Sequence, residues 1–379
     1  MRQLSYLEVQ KLLDDCMDGN LNSVKRLGNV DFNVKDSLQR LPISIAALKG
    51  HAELVKYLYE KGADVNQTTF TCFGALAEAA SGGHVNLVKF LYPLSTKQVR
   101  QNALGQAVVH NRYDVVKYLL KKGVDVNAHI VDILSLETPL TLAAREGHVD
   151  MMRFLIQKGA VFPKETEKET YLERILRKIK NIIRNPFGFP SNVNESDLYN
   201  PLNNAVLHGK KKATRFLIEQ GVRLNSKTPD LAPLVQAIVG KNLDCIKLVV
   251  EAGANLFINN SAQTILKTAQ NTQNQEIIDY IQYAQENAEK VQPQRYNHIK
   301  KQALADIQKI KPEERQSLPT INPNLYGTLV AYGLFAEWFE QMKYQSQVEV
   351  YKVHRHEMKK NVRLKVENVM RQSRGRGEW

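Results

Sequence analysis

The chain of 379 residues carries 52 Lys and Arg against 39 Asp and Glu, a formal charge of +13 that favours acidic partners, nucleic acid or anionic lipid. Apolar residues make up 43%, which suits a folded chain and excludes a disordered one, and no unbroken apolar run approaches the roughly 18 residues that span a bilayer. Cys16, Cys72 and Cys245 offer neither an even disulfide set nor a metal-ligand spacing, and residues 1–15 lack a secretory apolar core, so a reducing, cytoplasmic setting is expected.

Residues 1–33 carry two short apolar stripes and are expected to cap one end of a stack. The stretch 41–66, LPISIAALKGHAELVKYLYEKGADVN, then predicts a helix pair. Pro42 suits a first helical turn, where its missing N–H would be unpaired anyway. Ala46 and Ala47 are small enough for close helix approach. Leu54, Val55, Leu58 and Tyr59 recur at helical spacing, and Gly62 follows them where a left-handed cap is needed. One such pair cannot bury its own apolar face, so copies are expected.

They appear, anchored on Ala46, at Ala79, Ala107, Ala143, Ala205, Ala237 and Ala269, in steps of 33, 28, 36, 62, 32 and 32 residues. The clearest are TPLTLAAREGHVDMMRFLIQKGA (138–160) and APLVQAIVGKNLDCIKLVVEAGANL (232–256). This series resembles the ankyrin repeat family over roughly residues 10–285. The resemblance implies an all-α solenoid whose hairpins and inner helices bind another protein. Where the family usually reads Thr-Pro-Leu-His, the His position here holds Ser44, Ala77, Gly105, Thr141, Asn203 and Val235. His51, His84 and His148 follow glycine at the turn between helices, where the family places a structural histidine.

The connections between repeats carry apolar residues at Phe70 and Phe73, and again at Ile130, Ile133 and Leu134. They are candidates for a protein-binding patch; the alternative is packing against a neighbouring hairpin or helix. The double-length step encloses an insertion, 162–198. Its centre, YLERILRKIKNIIR (171–184), predicts an amphipathic helix with Arg174, Arg177, Lys178, Lys180 and Arg184 as its basic surface. Such a helix packs on its own protein, fills a partner groove or makes a peripheral contact with a membrane surface.

The array is expected to span 1–290, with Gln292-Pro293-Gln294 marking a boundary to a basic α-helical region, 291–379. There the stretch 325–344 is the most aromatic of the chain and predicts a buried helix pair. Tyr344, Val348, Tyr351, Met358, Val362 and Val369 then repeat by threes and fours, predicting one long helix with a coiled-coil-like seam. Lys359, Lys360 and Arg363 add basic surface; nucleic acid is an unlikely partner.

No P-loop, Gly-x-Ser-x-Gly or His-Glu-x-x-His is present. No cofactor and no metal site are expected. The fold class is therefore all-α: an ankyrin-repeat solenoid with an inserted amphipathic helix and a helical C-terminal region. The expected function is non-enzymatic protein binding. An active centre within 295–379, with the array as substrate receptor, is the alternative. The irregular repeats and the Lys/Asn/Gln/Ile-leaning composition are similar in style to ankyrin effectors that intracellular bacteria deliver to host cytosol, where the partner would be a host protein.

Overall fold

The computed structural model describes residues 2–68, 73–131, 136–162, 200–226, 229–257, 264–340, 342, 344–356, 358 and 360–375. These residues are helical apart from short turns and one two-residue hairpin. They group into two compact units, Met1–Arg223 and Leu224–Trp379. The inserted helix expected at 171–184 lies outside the described residues, and the boundary expected at 290/291 falls within the second unit.

The first unit is a run of helix pairs. They are α1 (Tyr6–Asp18) with α2 (Leu21–Arg26), α3 (Pro42–Lys49) with α4 (Ala52–Glu60), and α5 (Ala75–Gly82) with α6 (Val85–Leu91). Next come α7 (Lys97–Val109) with α8 (Tyr113–Lys121), α9 (Pro139–Glu146) with α10 (Val149–Gln157), and α11 (Pro201–Leu207) with α12 (Lys211–Glu219). The first helix of each pair stacks on the first helix of the next: α1 on α3, then α5, α7, α9 and α11. The anchor alanines explain this closeness. Ala46, Ala79, Ala107, Ala143 and Ala205 are all 0% exposed, because only a methyl group fits where one inner helix faces the next.

Each turn between paired helices needs one residue in the left-handed region. Gly50, Gly83 and Gly147 supply it with φ of 82, 85 and 81°, and each caps its inner helix by donating its N–H to that helix's last carbonyls. The next residue then reaches back one repeat. His51 Nε2 donates to Met17 O at 3.0 Å, His84 Nε2 to Leu48 O at 2.9 Å and His148 Nε2 to Val109 O at 2.9 Å. In the α7–α8 repeat, which lacks the histidine, Arg112 Nε donates to Ser81 O at 2.8 Å instead. At the C-termini of α1, α3, α5 and α7 a leftover carbonyl is thus taken up by the following repeat.

A second ladder runs along the other edge. Asn33 Nδ2 donates to Gly62 O while Asn33 Oδ1 accepts from the Asp64 N–H. Asn66 bridges Leu94 O and the Thr96 N–H in the same way, and Asn127 bridges Gly159 O and the Val161 N–H. One carboxamide therefore satisfies a donor and an acceptor of the next repeat at once. In the first connection Asp36 plays an intra-loop part. Its Oδ1 accepts from the Leu38 and Arg40 N–H groups and its Oδ2 from Arg40 Nε at 2.7 Å. Burial raises the Asp36 pKa, but these bonds and the Arg40 charge outweigh it and hold the carboxyl below its ordinary 3.8.

The second unit opens with two further pairs, α13 (Pro233–Val239) with α14 (Leu243–Glu251) and α15 (Ile265–Asn271) with α16 (Gln275–Glu286). The asparagine bridge recurs: Asn225 Oδ1 accepts from the Asn255 N–H at 2.7 Å. Then come α17 (Ala288–Val291), α18 (Pro293–Lys309), α19 (Leu318–Ile321), α20 (Pro323–Tyr332), α21 (Phe335–Phe339), α22 (Tyr344–His354) and α23 (Lys360–Gly375). Gln292 Nε2 donates to Val250 O and Ala254 O, and Arg295 Nη1 to Gly253 O, so this junction takes up the carbonyls that end α14.

The aromatic stretch forms the helix pair α20 and α21, turned at Gly333 (φ 68°). Trp338 is fully buried at the centre and donates its indole N–H to Arg315 O. The one long C-terminal helix is not observed. The segment is two helices, α22 and α23, that pack on each other. Buried polar bonds hold this hairpin: Gln347 Nε2 donates to Phe339 O, Met342 O and Ser373 Oγ, and the Tyr351 hydroxyl donates to Glu367. A seam pattern identifies which residues are buried but not whether the helix meets itself or a partner.

Candidate functional site

The stacked inner helices present one repeating register. The anchor alanine is buried, and the two positions two and three residues after it end the helix: Leu48-Lys49, Ser81-Gly82, Val109-His110, Arg145-Glu146 and Leu207-His208. Core and face separate along these helices except at Ser81, which is itself buried. The core position repeats as alanine, while the face changes from repeat to repeat in charge and size. Leu48 is 38% exposed, large for a leucine with no structural duty, and Lys49, His110 and His208 are exposed too.

Polar contacts fix several of these side chains. The His110 ring lies 3.2 Å from Ser81 Oγ on the preceding repeat and 3.1 Å from its own helix's Gln106 O. Arg145 lies between two carboxylates, with Nη1 2.5 Å from Glu137 and Nε 3.0 Å from Glu146. Glu137 belongs to the short antiparallel hairpin of β1 (Ile130–Val131) and β2 (Leu136–Glu137), in which it pairs with Ile130. The ion pair therefore ties the hairpin to α9. The His208 pKa is lowered by burial first and by the neighbouring Arg145 cation second, so the ring is neutral at pH 7.

Glu78 is the unusual residue of this region. It stands on α5 directly before Ala79, the register that holds Ile45 on α3 and Leu142 on α9. Burial alone pushes its carboxyl from 4.5 up to about 7. The apolar pattern hid it, because one glutamate in a helix reads as a solvated residue. Only the register shared with Ile45 and Leu142 marks it as partly buried.

The residues expected to bind a partner fall in different places. Phe70, Ile133 and Leu134 lie outside the described residues, as do Arg174, Arg177, Lys178, Lys180, Arg184 and Lys359. Phe73 is half-buried just ahead of α5. Ile130 packs inward: it is 4% exposed, and a Cβ built on Gly105 of α7 would come within 2.8 Å of its Cδ1. Of the two readings of Ile130, packing is the one its position supports. Lys360 begins α23, and Arg363 turns back to donate to Arg355 O and Met358 O, stapling the α22–α23 turn.

Cys16 and Cys245 are buried thiols, and burial pushes that of Cys16 up to about 12, far from a nucleophile's range. Among the described residues no group of three His, Cys, Asp or Glu is placed to hold a metal ion. No described helix is long and apolar enough to cross a membrane.

Comparison with known proteins agrees with this geometry. Models of ankyrin repeats in many copies match residues 43–91 and 105–156, and a model of three ankyrin repeats matches 69–130. The chain is 24% identical over 286 residues, 74% of its length, to the ankyrin repeat and KH domain-containing protein mask-1 of Caenorhabditis elegans, and covers 10% of that protein. It is 30% identical over 164 residues to the putative ankyrin repeat protein FPV031 of fowlpox virus, covering 40% of this chain and 47% of the viral one. It is also 30% identical over 182 residues to human palmitoyltransferase ZDHHC13, across 45% of this chain and 29% of the enzyme. The chain thus spans from about a tenth to under half of these relatives. Among solved structures, the human ASB11 ankyrin repeat domain is similar at 24% identity and a TM-score of 0.43, over 61% of this chain and 92% of that one.

Proposed function

We propose, starting from a chain that belongs to the ankyrin repeat family through residues 43–156, that it is a non-enzymatic module that grips a protein partner on the inner-helix face of its first unit. One observation carries this reading: the buried anchor is alanine in every repeat of that unit from Ala46 onward, whereas the pair after it changes each time and is exposed at Leu48, Lys49, His110 and His208. A constant core under a variable face is how a repeat surface is adapted to one partner without disturbing the stack. The finer reading is an effector of an intracellular bacterium acting on a host protein in the cytosol. It rests on composition and on the irregular repeats.

The test is capture from eukaryotic cell lysate by the full-length chain, its Leu48→Arg and Val109→Arg variants, and an outer-helix control, Lys117→Glu. A partner held by wild type and by Lys117→Glu, and lost by the two inner-face variants, supports the reading. Capture indifferent to the inner face, or conversion of a captured protein by the chain, sinks it.

A further inference from the structure

A cavity of about 760 Å³ lies wholly within the second unit. One wall is the end of the last repeats, with Asn255 and Gln285; the floor is α18, with Arg295, Gln302 and Asp306; the far wall is the start of α20, with Asn322 and Gly327. Its size falls in the range of ligand sites, about 300–1,000 Å³. We propose that this groove is a second binding site, separate from the inner-helix face, that takes an extended peptide segment of a partner polypeptide and reads its main chain.

Three observations carry the proposal. The first is charge. Among the described residues the groove holds one guanidinium and one carboxylate, and both are engaged within the protein. Arg295 Nη1 donates to Gly253 O and its Nε to Tyr332 Oη, while Asp306 is paired with Lys309 at 2.7 Å. Nothing there calls for an ionic ligand.

The second is the carboxamides. Asn255 Oδ1 accepts from the Phe257 N–H on one wall, and Asn322 Oδ1 from the Leu325 N–H on the other. Each Oδ1 is thereby engaged, and among the described residues neither Nδ2 has a hydrogen-bond partner. Gln302 and Asn324 add further carboxamides, each a donor and acceptor together. Preset amide donors on facing walls suit a ligand with a regular series of carbonyl oxygens, which is what a peptide main chain offers.

The third is Gly327. It sits inside α20, where glycine is the least favourable residue after proline. It needs no left-handed conformation, and a Cβ added there would meet nothing within 4 Å. No packing demand explains the glycine. What its missing side chain provides is open space in the groove.

Gly327 also supplies the test, on the full-length chain. Random dodecapeptides displayed on phage are selected on wild type and on Gly327→Trp, whose side chain enters that open space; circular dichroism checks the fold, and Gly327→Leu replaces the tryptophan should it fail to fold. Enriched peptides are then synthesised and measured by fluorescence anisotropy. The expected result is affinity lost about tenfold or more on Gly327→Trp and retained on Leu48→Arg, with ester replacement of single peptide bonds costing about tenfold and single alanine replacements under about threefold. The proposal is overturned by peptides that bind Gly327→Trp as well as wild type, by selection that enriches none, by loss on Leu48→Arg, or by binding that follows side chains and ignores the esters.

Discussion

Arg145 Nη1 lies 2.5 Å from Glu137 Oε2, and this pair joins an inner helix to the hairpin that precedes it. Glu137 is only 8% exposed, so its carboxylate depends on compensation nearby. Arg145→Ala removes a partner that water cannot fully replace. The expected cost is roughly 1–3 kcal/mol, since truncating one member of a partly buried pair leaves the other desolvated. Arg145→Lys recovers part of it, without the second bond to Glu146. Urea unfolding of the three proteins measures this, and an Arg145→Ala midpoint equal to wild type would refute it.

Lys241 and Gln273 stand at the turn position that Gly50 occupies in its own repeat. They take φ of 54 and 56°, a region that costs a side-chain-bearing residue roughly 1–2 kcal/mol. Glycine relieves that strain while adding freedom to the unfolded chain, so the two effects oppose. Relief of strain outweighs the added freedom. Lys241→Gly and Gln273→Gly should each stabilise the protein by about 0.5–1 kcal/mol. The converse is Gly50→Ala, whose methyl would lie 2.4 Å from the His84 ring. It should destabilise by about 2 kcal/mol or more, through strain and loss of the His84 bond to Leu48 O. Thermal melts showing the opposite order would overturn this expectation.

These turns show what the sequence discloses well. A small residue at steps of 28 to 36 positions and a turn residue four later are local requirements, so they are legible one residue at a time, whereas the bridges of Asn33, Asn66 and Asn127 show only in the structure. Arg112 stayed hidden: it takes the place of the turn histidines, and the sequence alone did not mark it as the residue that reaches the preceding repeat's carbonyl. What stayed hidden depends on residues distant in sequence. Asn255, Gln302 and Asn322 converge on one cavity only after α15 to α20 have folded. Ile130 reads as surface or core until Gly105 of α7 is placed beneath it. The C-terminal seam was legible as buried, but its break after His354 has no proline or glycine to announce it; tertiary bonds such as that of Gln347 to Ser373 hold the two halves together.

Ser44 occupies the position where the family's histidine is absent, and its Oγ is buried with no hydrogen-bond partner. At the same position Thr141 is satisfied, donating to Thr138 O at 2.8 Å. The difference lies at the helix N-cap: Thr138 forms a reciprocal box with Thr141, whereas Leu41 ahead of Ser44 makes no side-chain cap. Ser44→Ala removes an unsatisfied hydroxyl and leaves the packing almost unchanged. It should be neutral or stabilising by up to about 1 kcal/mol. Thr141→Ala should instead cost about 1 kcal/mol. A loss at Ser44 as large as that at Thr141, in the same thermal melts, would contradict the expectation.

Glu78 makes stability depend on pH. Its folded pKa, about 7, lies above its ordinary value of 4.5, so the folded state holds the proton more tightly than the unfolded chain does. The contribution is complete below about pH 4.5 and is lost as pH rises through 7. His129 and His208, whose pKa values burial lowers, act in the reverse sense and gain stability as pH rises. Comparing wild type with Glu78→Gln cancels their shared contribution. The glutamine keeps the shape of the protonated acid and cannot ionise. At about pH 4 the two proteins should unfold at closely similar temperatures, because Glu78 is then largely protonated in the folded and the unfolded chain alike. At about pH 8 the variant should be the more stable, by roughly 2–3 kcal/mol, since wild type must carry a charge where burial opposes it. Calorimetry at both pH values measures the difference. An advantage of the same size under both conditions would place its origin in packing rather than in the titration of Glu78.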